Sequence, residues 1–391
     1  MESNPVPTLD TPEPVGTGDR TGYRTLLLGT IVVAALVALL FVTSGDPDTE
    51  ALLLAAGALQ VAPFVVLAVF THLSEDSRPL RFLTALLLLG IVASLVLLSL
   101  LLGVIAVVPL EDFESGVLPP QLGPTAFALL GLGSLFGLVS LVGFARPFRE
   151  RLARVLPLDP DSFVHAVGLV LVLALILVPS VPLIVNGAPP FLSEHLLPLY
   201  AGQSPDELAR TQIYSLLFII YGSFLAVGLF FRRTFAETLE RLAFVRPTAS
   251  QVLFGLGMSV ALVLGIGLLD RAIAEIWQIL GWPGTDQEAY ALLFSGMLTP
   301  VGAVTAAVSA GVGEELAVRG VLQPVFGIVL SSLVFAALHA WQYSWDALLS
   351  VFLAGLAFGW IRRRANTTTS AIAHGAYDLV LLAALAAGIA G

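Results

Sequence analysis

Six side chains in the last third of the sequence have the types and spacing for acid–base chemistry. Glu314, Glu315 and Arg319 stand within "GVGEELAVRG", His339 ends "FAALH", and His374 and Asp378 share "HGAYD". A carboxylate beside an imidazole can hold a water molecule and take its proton. A second imidazole can then donate an N–H to the oxyanion that forms when that water attacks a carbonyl. On a helix, Glu315 and Arg319 are at i and i+4 with the acid first, the favourable order for an ion pair. Glu314 is turned about 100° from Glu315 and has no partner at that spacing. Phe335 and His339, and likewise His374 and Asp378, are four apart and share a helical face. Each motif also has a bland explanation. Glu and Arg near a helix end can reach interfacial water, and His-x-x-x-Asp can be a local hydrogen bond.

The elements that must position these groups are membrane-spanning helices. The chain has 391 residues, 57% of them hydrophobic and only 12% charged, and runs of about twenty uncharged residues recur throughout. The fold class expected is all-α, a polytopic transmembrane helical bundle of about eleven spans. These run over 25–44, 51–71, 82–108, 124–144, 163–185, 212–231, 251–269, 301–323, 328–343, 346–361 and 368–389. Arg clusters follow the second, fourth, sixth and tenth spans, whereas the alternate loops are acidic or neutral. The positive-inside rule therefore puts the N-terminus in the cytoplasm and the C-terminus outside a multi-pass protein of the cell membrane. Three regions are expected: a disordered cytoplasmic tail (1–23), a six-span membrane region (24–249) and a C-terminal region (250–391) holding the polar groups.

Composition excludes several functions. Every one of the 18 basic residues is Arg, acids number 28, and the net charge of -10 leaves no basic stripe for nucleic acid. With no cysteine there is no disulfide, no thiolate nucleophile and no Cys-type zinc site.

Depth decides whether the motifs belong together. If the eighth span ends near Gln323, Glu314 lies ~13 Å inside it. A ninth span starting near Ile328 buries His339 by ~16 Å, and an eleventh starting near Asn366 puts His374 at ~12 Å and Asp378 at ~18 Å. Acid and imidazoles from three helices thus stand at one level below the cytoplasmic face. A charge at mid-bilayer costs about 2.5–3.5 kcal/mol on insertion scales, so such a cluster points to function.

EExxxR, then FxxxH, then HxxxD, each on its own apolar helix, resembles the CPBP family of intramembrane proteases, which includes the type II CAAX prenyl endopeptidases. The resemblance covers roughly residues 250–391. It implies proteolysis inside the membrane, with Glu314 and His339 activating a water and His374 and Asp378 facing the carbonyl oxygen. Glu315 and Arg319 would be a structural pair. The implied partners are the lipid bilayer and a membrane-protein or lipid-modified peptide substrate. Val318 departs from the Phe that commonly precedes the Arg. Asp378 departs from the commoner Asn, and an ionised carboxylate cannot donate a hydrogen bond. Asp378 could instead orient His374, be protonated, or bind a metal. A metal-free glutamate mechanism is the expectation; the zinc alternative would use His339, His374, Glu314 and Asp378 with an open position for water. Two readings outside catalysis are a proton- or ion-coupled transporter and a non-catalytic membrane scaffold.

Overall fold

The computed structural model describes residues 20–388, apart from 76, 110–111, 113–119, 121 and 202. Of the expected tail, 1–19 lie outside the described residues, and 20–23 begin the first helix rather than extending the tail. In chain order the main helices are α1 (Arg20–Ser44), α2 (Pro47–Leu73), α3 (Arg78–Ile105), α4 (Leu122–Ser140) and α5 (Arg146–Leu152). They continue as α6 (Phe163–Leu177), α7 (Pro205–Ala226), α8 (Phe235–Leu242), α9 (Ala249–Leu280) and α10 (Gln287–Leu293). The last four are α11 (Pro300–Val308, running on as a π-helix over Ser309–Leu322), α12 (Gln323–Ala337), α13 (Trp345–Arg364) and α14 (Thr367–Ala386). Among the described residues the β pairing is a single isolated bridge, Leu229 to Arg233.

Nine helical stretches among the described residues are long and apolar enough to cross a membrane. One of them, Pro300–Ala337, takes in the expected span 301–323 and the first ten residues of the expected 328–343, with Gly327 (φ 71°, ψ 176°) interrupting it between them. That φ lies in the left-handed region, which glycine adopts without a Cβ penalty. Arg319 and Phe335, eight residues either side of Gly327, lie against each other, so the chain doubles back there as a hairpin. Beyond Gly327 the helix runs only to Ala337, about 15 Å at 1.5 Å per residue, half the ~30 Å hydrocarbon core. The expected ninth span, 328–343, is therefore ten residues of helix followed by six of irregular chain. His339 lies in the turns after the helix rather than on it.

The bundle has two chemically distinct ends. At one, Arg241 on α8 donates to Gly320 O (2.9 Å), Thr367 Oγ1 donates to Leu242 O (2.6 Å), and Gln323 Nε2 donates to Gly359 O (2.9 Å). The Arg362–Arg364 triplet closes α13 at the same end. Burial pushes the Arg241 guanidinium down to about 10, with Arg233 and Arg362 adding repulsion. At the other end, Thr285 binds both oxygens of Asp346 through its N–H (2.8 Å) and Oγ1 (2.7 Å), and Phe191 N donates to Trp341 O (2.9 Å).

The N-terminal helices share the core of the C-terminal ones. Leu169, Val172 and Leu175 of α6 pack with Phe326 and Val334 of α12, and α7 lies along the π-helix, where Leu216 and Ile219 meet Gly313. A separate hydrophobic cluster, Leu262, Ile266, Ala354, Phe358, Ile361 and Ala373, joins α9, α13 and α14.

One buried polar network lies outside the reading from sequence. Glu50, 1% exposed, pairs with Arg210 Nη1 (3.1 Å) and accepts from the Tyr214 hydroxyl, tying α2 to α7. The expected spans, starting at 51 and 212, missed both charges. "SPDE" at 204–207 was the available signal: Ser204 and Glu207 form a capping box, and the helix begins at Pro205.

Candidate functional site

The "EELAVR" stretch is wound as a π-helix, whose i→i+5 bonds are rare and frequent at functional sites. Both Glu315 and Glu314 lie within electrostatic reach of Arg319 in that winding. The small residues around it permit a close crossing with α14. A Cβ on Gly311 would lie 2.8 Å from Ala371 O and from Gly375 Cα, and one on Gly375 would lie 2.9 Å from Ala307 O. The two backbones touch, and this contact sets His374 beside Glu315.

Glu315 is the centre of a sealed network. It is 0% exposed, its Oε1 lies 3.1 Å from His374 Nδ1, and its Oε2 accepts from Ser370 Oγ (2.5 Å). Arg319, also 0% exposed, has Nε 3.5 Å from Glu315 Oε2 and donates from Nη1 to Ser332 Oγ (3.4 Å). Its guanidinium stands 5.2 Å above the Phe335 ring, a cation–π contact. The Glu315–Arg319 pair expected from i,i+4 spacing is thus present, and it also holds His374.

His374 continues the line outward. Its Nε2 is 3.4 Å from Asp378 Oδ2, and its ring stacks on Phe358 at 4.3 Å and 22°. Both ring nitrogens face carboxylates. A neutral imidazole has one N–H to give and the cation has two, so either the ring carries both protons or the Asp378 carboxyl carries one.

His339 and His374 both stand against Phe335, with ring centroids 5.1 Å and 5.7 Å from that phenyl ring respectively. Its Nδ1 lies 2.7 Å from Phe335 O. A carbonyl only accepts, so Nδ1 carries a hydrogen, and in the neutral ring the lone pair is on Nε2. The ring stacks on Tyr343 at 5.6 Å and 12°.

Glu314 is half-buried and makes no hydrogen bond or ion pair among the described residues. It acts electrostatically on His374, Asp378, Arg319 and Tyr343, which places it in reach of the cluster. The helices therefore bring the six residues singled out by spacing to one region: Arg319, Glu315, His374 and Asp378 as a bonded line, with Glu314 and His339 beside it.

Four contributors went unnoticed in the sequence. Ser370 was legible, being four before His374 on the face that carries Asp378. Tyr343, four after His339, continues the Phe335–His339 spacing. Ser332 and Tyr290 carry no local signal, since the Gly327 hairpin and the helix α10 bring them in from elsewhere; Tyr290 Oη is 3.4 Å from Tyr343 Oη.

Both ring nitrogens of His374 and one of His339 are engaged. Among the described residues no three His, Cys, Asp or Glu side chains are placed to hold one ion.

Among the described residues the protein is a multi-pass helical membrane bundle with a buried carboxylate–imidazole line. Residues 286–380 match the family described as Rce1-like, type II CAAX prenyl endopeptidase Rce1-like. The similarity to that family lies within the C-terminal region. The matched segment contains every one of the six residues above. No curated protein and no solved structure matches the chain.

Proposed function

We propose that the protein is an intramembrane endopeptidase. Glu314 and His339 Nε2 hold a water between them, and the water oxygen attacks the carbonyl carbon of a peptide bond while its proton passes to Glu314. The electron pair of the C=O bond moves to oxygen, forming an oxyanion beside His374. As the tetrahedral intermediate collapses, the C–N bond breaks and the proton held by Glu314 goes to the leaving nitrogen.

His374 serves the oxyanion, with Asp378 beside its Nε2. An imidazolium gripped by Glu315 on one side brings positive charge to the developing negative oxygen, and a low-polarity setting strengthens that attraction. Arg319 and Ser370 fix Glu315, and Glu315 fixes the imidazole. The substrate is a membrane protein or a lipid-modified peptide, processed in a multi-pass protein whose Arg-rich end faces the cytoplasm, with the N-terminus on that side and the C-terminus opposite.

The observation carrying this reading is the contrast between two adjacent acids within the matched segment. Glu315 has its carboxylate taken up by Arg319, Ser370 and His374, while Glu314 keeps both oxygens free within electrostatic reach of the same cluster. A general base needs the second condition. The test is Glu314→Gln in the purified protein: cleavage of a membrane-spanning peptide is lost while the helical fold persists, and a variant that cleaves normally overturns the assignment.

A further inference from the structure

The two sides of the site differ in exposure. Toward the Arg-rich end it is closed, with Glu315, Arg319, Leu316, Ser370 and Ile361 all at 0% exposure and Phe358 at 1%. Toward the opposite end its groups open: Glu314, His339, Tyr343 and Tyr290 are half-buried, and the Asp378 side chain is 24% exposed.

Polar groups continue in that direction. Tyr290 meets Tyr343 (3.4 Å), and both Tyr290 and Tyr377 lie within electrostatic reach of Asp378 and of Asp270. Asp270 accepts from the Ser350 hydroxyl, and Asp346 on the same helix as Ser350 binds Thr285 at the surface. Between these groups runs the irregular chain 338–344, which takes over where α12 stops, about 15 Å past Gly327 and so short of a ~30 Å apolar core. Irregular backbone at such depth is tolerated only inside protein or along water, and partly exposed carboxylates there cannot face lipid.

We propose that water and the peptide reach the site from the Arg-poor end of the bundle, passing between α10 and the 338–344 turns. The substrates are therefore membrane proteins that present their cleavable segment on the side opposite the Arg-rich loops. This deepens the endopeptidase reading and rests on it. It also differs from the position near the cytoplasmic face that helix lengths alone imply, because those lengths fix depth and not the direction of opening. Helix α10 covers the passage, with Tyr290 packed against Phe294 (4.7 Å) and Tyr343 (5.5 Å).

The chain contains no cysteine, so any introduced thiol is unique. Gln342→Cys and Tyr290→Cys mark the proposed passage, and Arg363→Cys marks the Arg-rich end. Each full-length variant, in sealed vesicles of one orientation, is given a membrane-impermeant maleimide on one side at a time, and adducts are read by intact mass. The passage cysteines are expected to react from the side opposite to the one that labels Arg363→Cys, and modified Gln342→Cys loses cleavage of a synthetic membrane-spanning peptide. Reaction from the same side as Arg363→Cys, or from neither side, overturns the proposal. Labelling does not depend on catalysis. A failed endopeptidase assignment, seen as normal cleavage by Glu314→Gln, is thereby separable from a failed route.

Discussion

Two neighbouring glutamates with opposite burdens give the sharpest expectations at the residue scale. Removing the charge of Glu315 leaves Arg319 buried and unpaired, and breaking a buried pair from one side costs about 3–5 kcal/mol. Glu315→Gln should accordingly lower the unfolding temperature of the purified protein, and an unchanged melt would show that the sealed network contributes little. Asp378 tests the oxyanion side. Asparagine supplies a donor that an ionised aspartate lacks, so Asp378→Asn is expected to keep or raise the cleavage rate; loss of activity would mean that the carboxylate itself is needed to orient His374.

Much of this was legible because i,i+4 spacing reads directly as shared faces. Arg319 under Glu315 and Asp378 after His374 are both found as the spacing implies. The bond between Glu315 and His374 was not legible, because it depends on how two helices separated by more than fifty residues cross.

At the element scale the decisive features are a π-helix, a hairpin and a glycine contact. Periodicity identifies a helix but does not separate α from π winding over one or two turns, so the approach of Glu314 to Arg319 was hidden. The breakers around Pro324 and Gly327 were visible, yet the helix passes through the proline and turns only at the glycine. Gly327→Ala puts a Cβ into the left-handed region, at roughly 1–2 kcal/mol, and circular-dichroism melts of the variant should show the loss.

The crossing of Gly311 with Gly375 has no slack. Gly375→Val is expected to push α14 away from the π-helix, lowering both stability and cleavage. Gly267→Ala, which meets nothing within 4 Å, serves as the matched control and should alter neither. Equal behaviour of the two variants would show that the close crossing does not position His374.

Over the whole molecule, composition alone gave the membrane bundle, and the alternation of Arg-rich with acidic loops gave its two ends. Packing contacts cross the boundary between 24–249 and 250–391. Phe326 and Val334 lie in a core shared with α6, and Gly313 is covered by α7. A chain reduced to 250–391 would expose those faces and is expected to aggregate in detergent, whereas the full chain elutes as a single species. A well-behaved fragment would show that the N-terminal helices are an independent attachment.

Hydrolysis in heavy-oxygen water addresses the central claim most directly. Purified full-length protein in lipid vesicles is given a membrane-spanning peptide in water enriched in oxygen-18, and the products are weighed. One heavy oxygen should enter the new carboxyl group, and Glu314→Gln, with its melting profile unchanged, should slow product formation by about 10²–10⁴-fold. Cleavage at the original rate by Glu314→Gln, or products with no heavy oxygen, would contradict a water activated by that carboxylate.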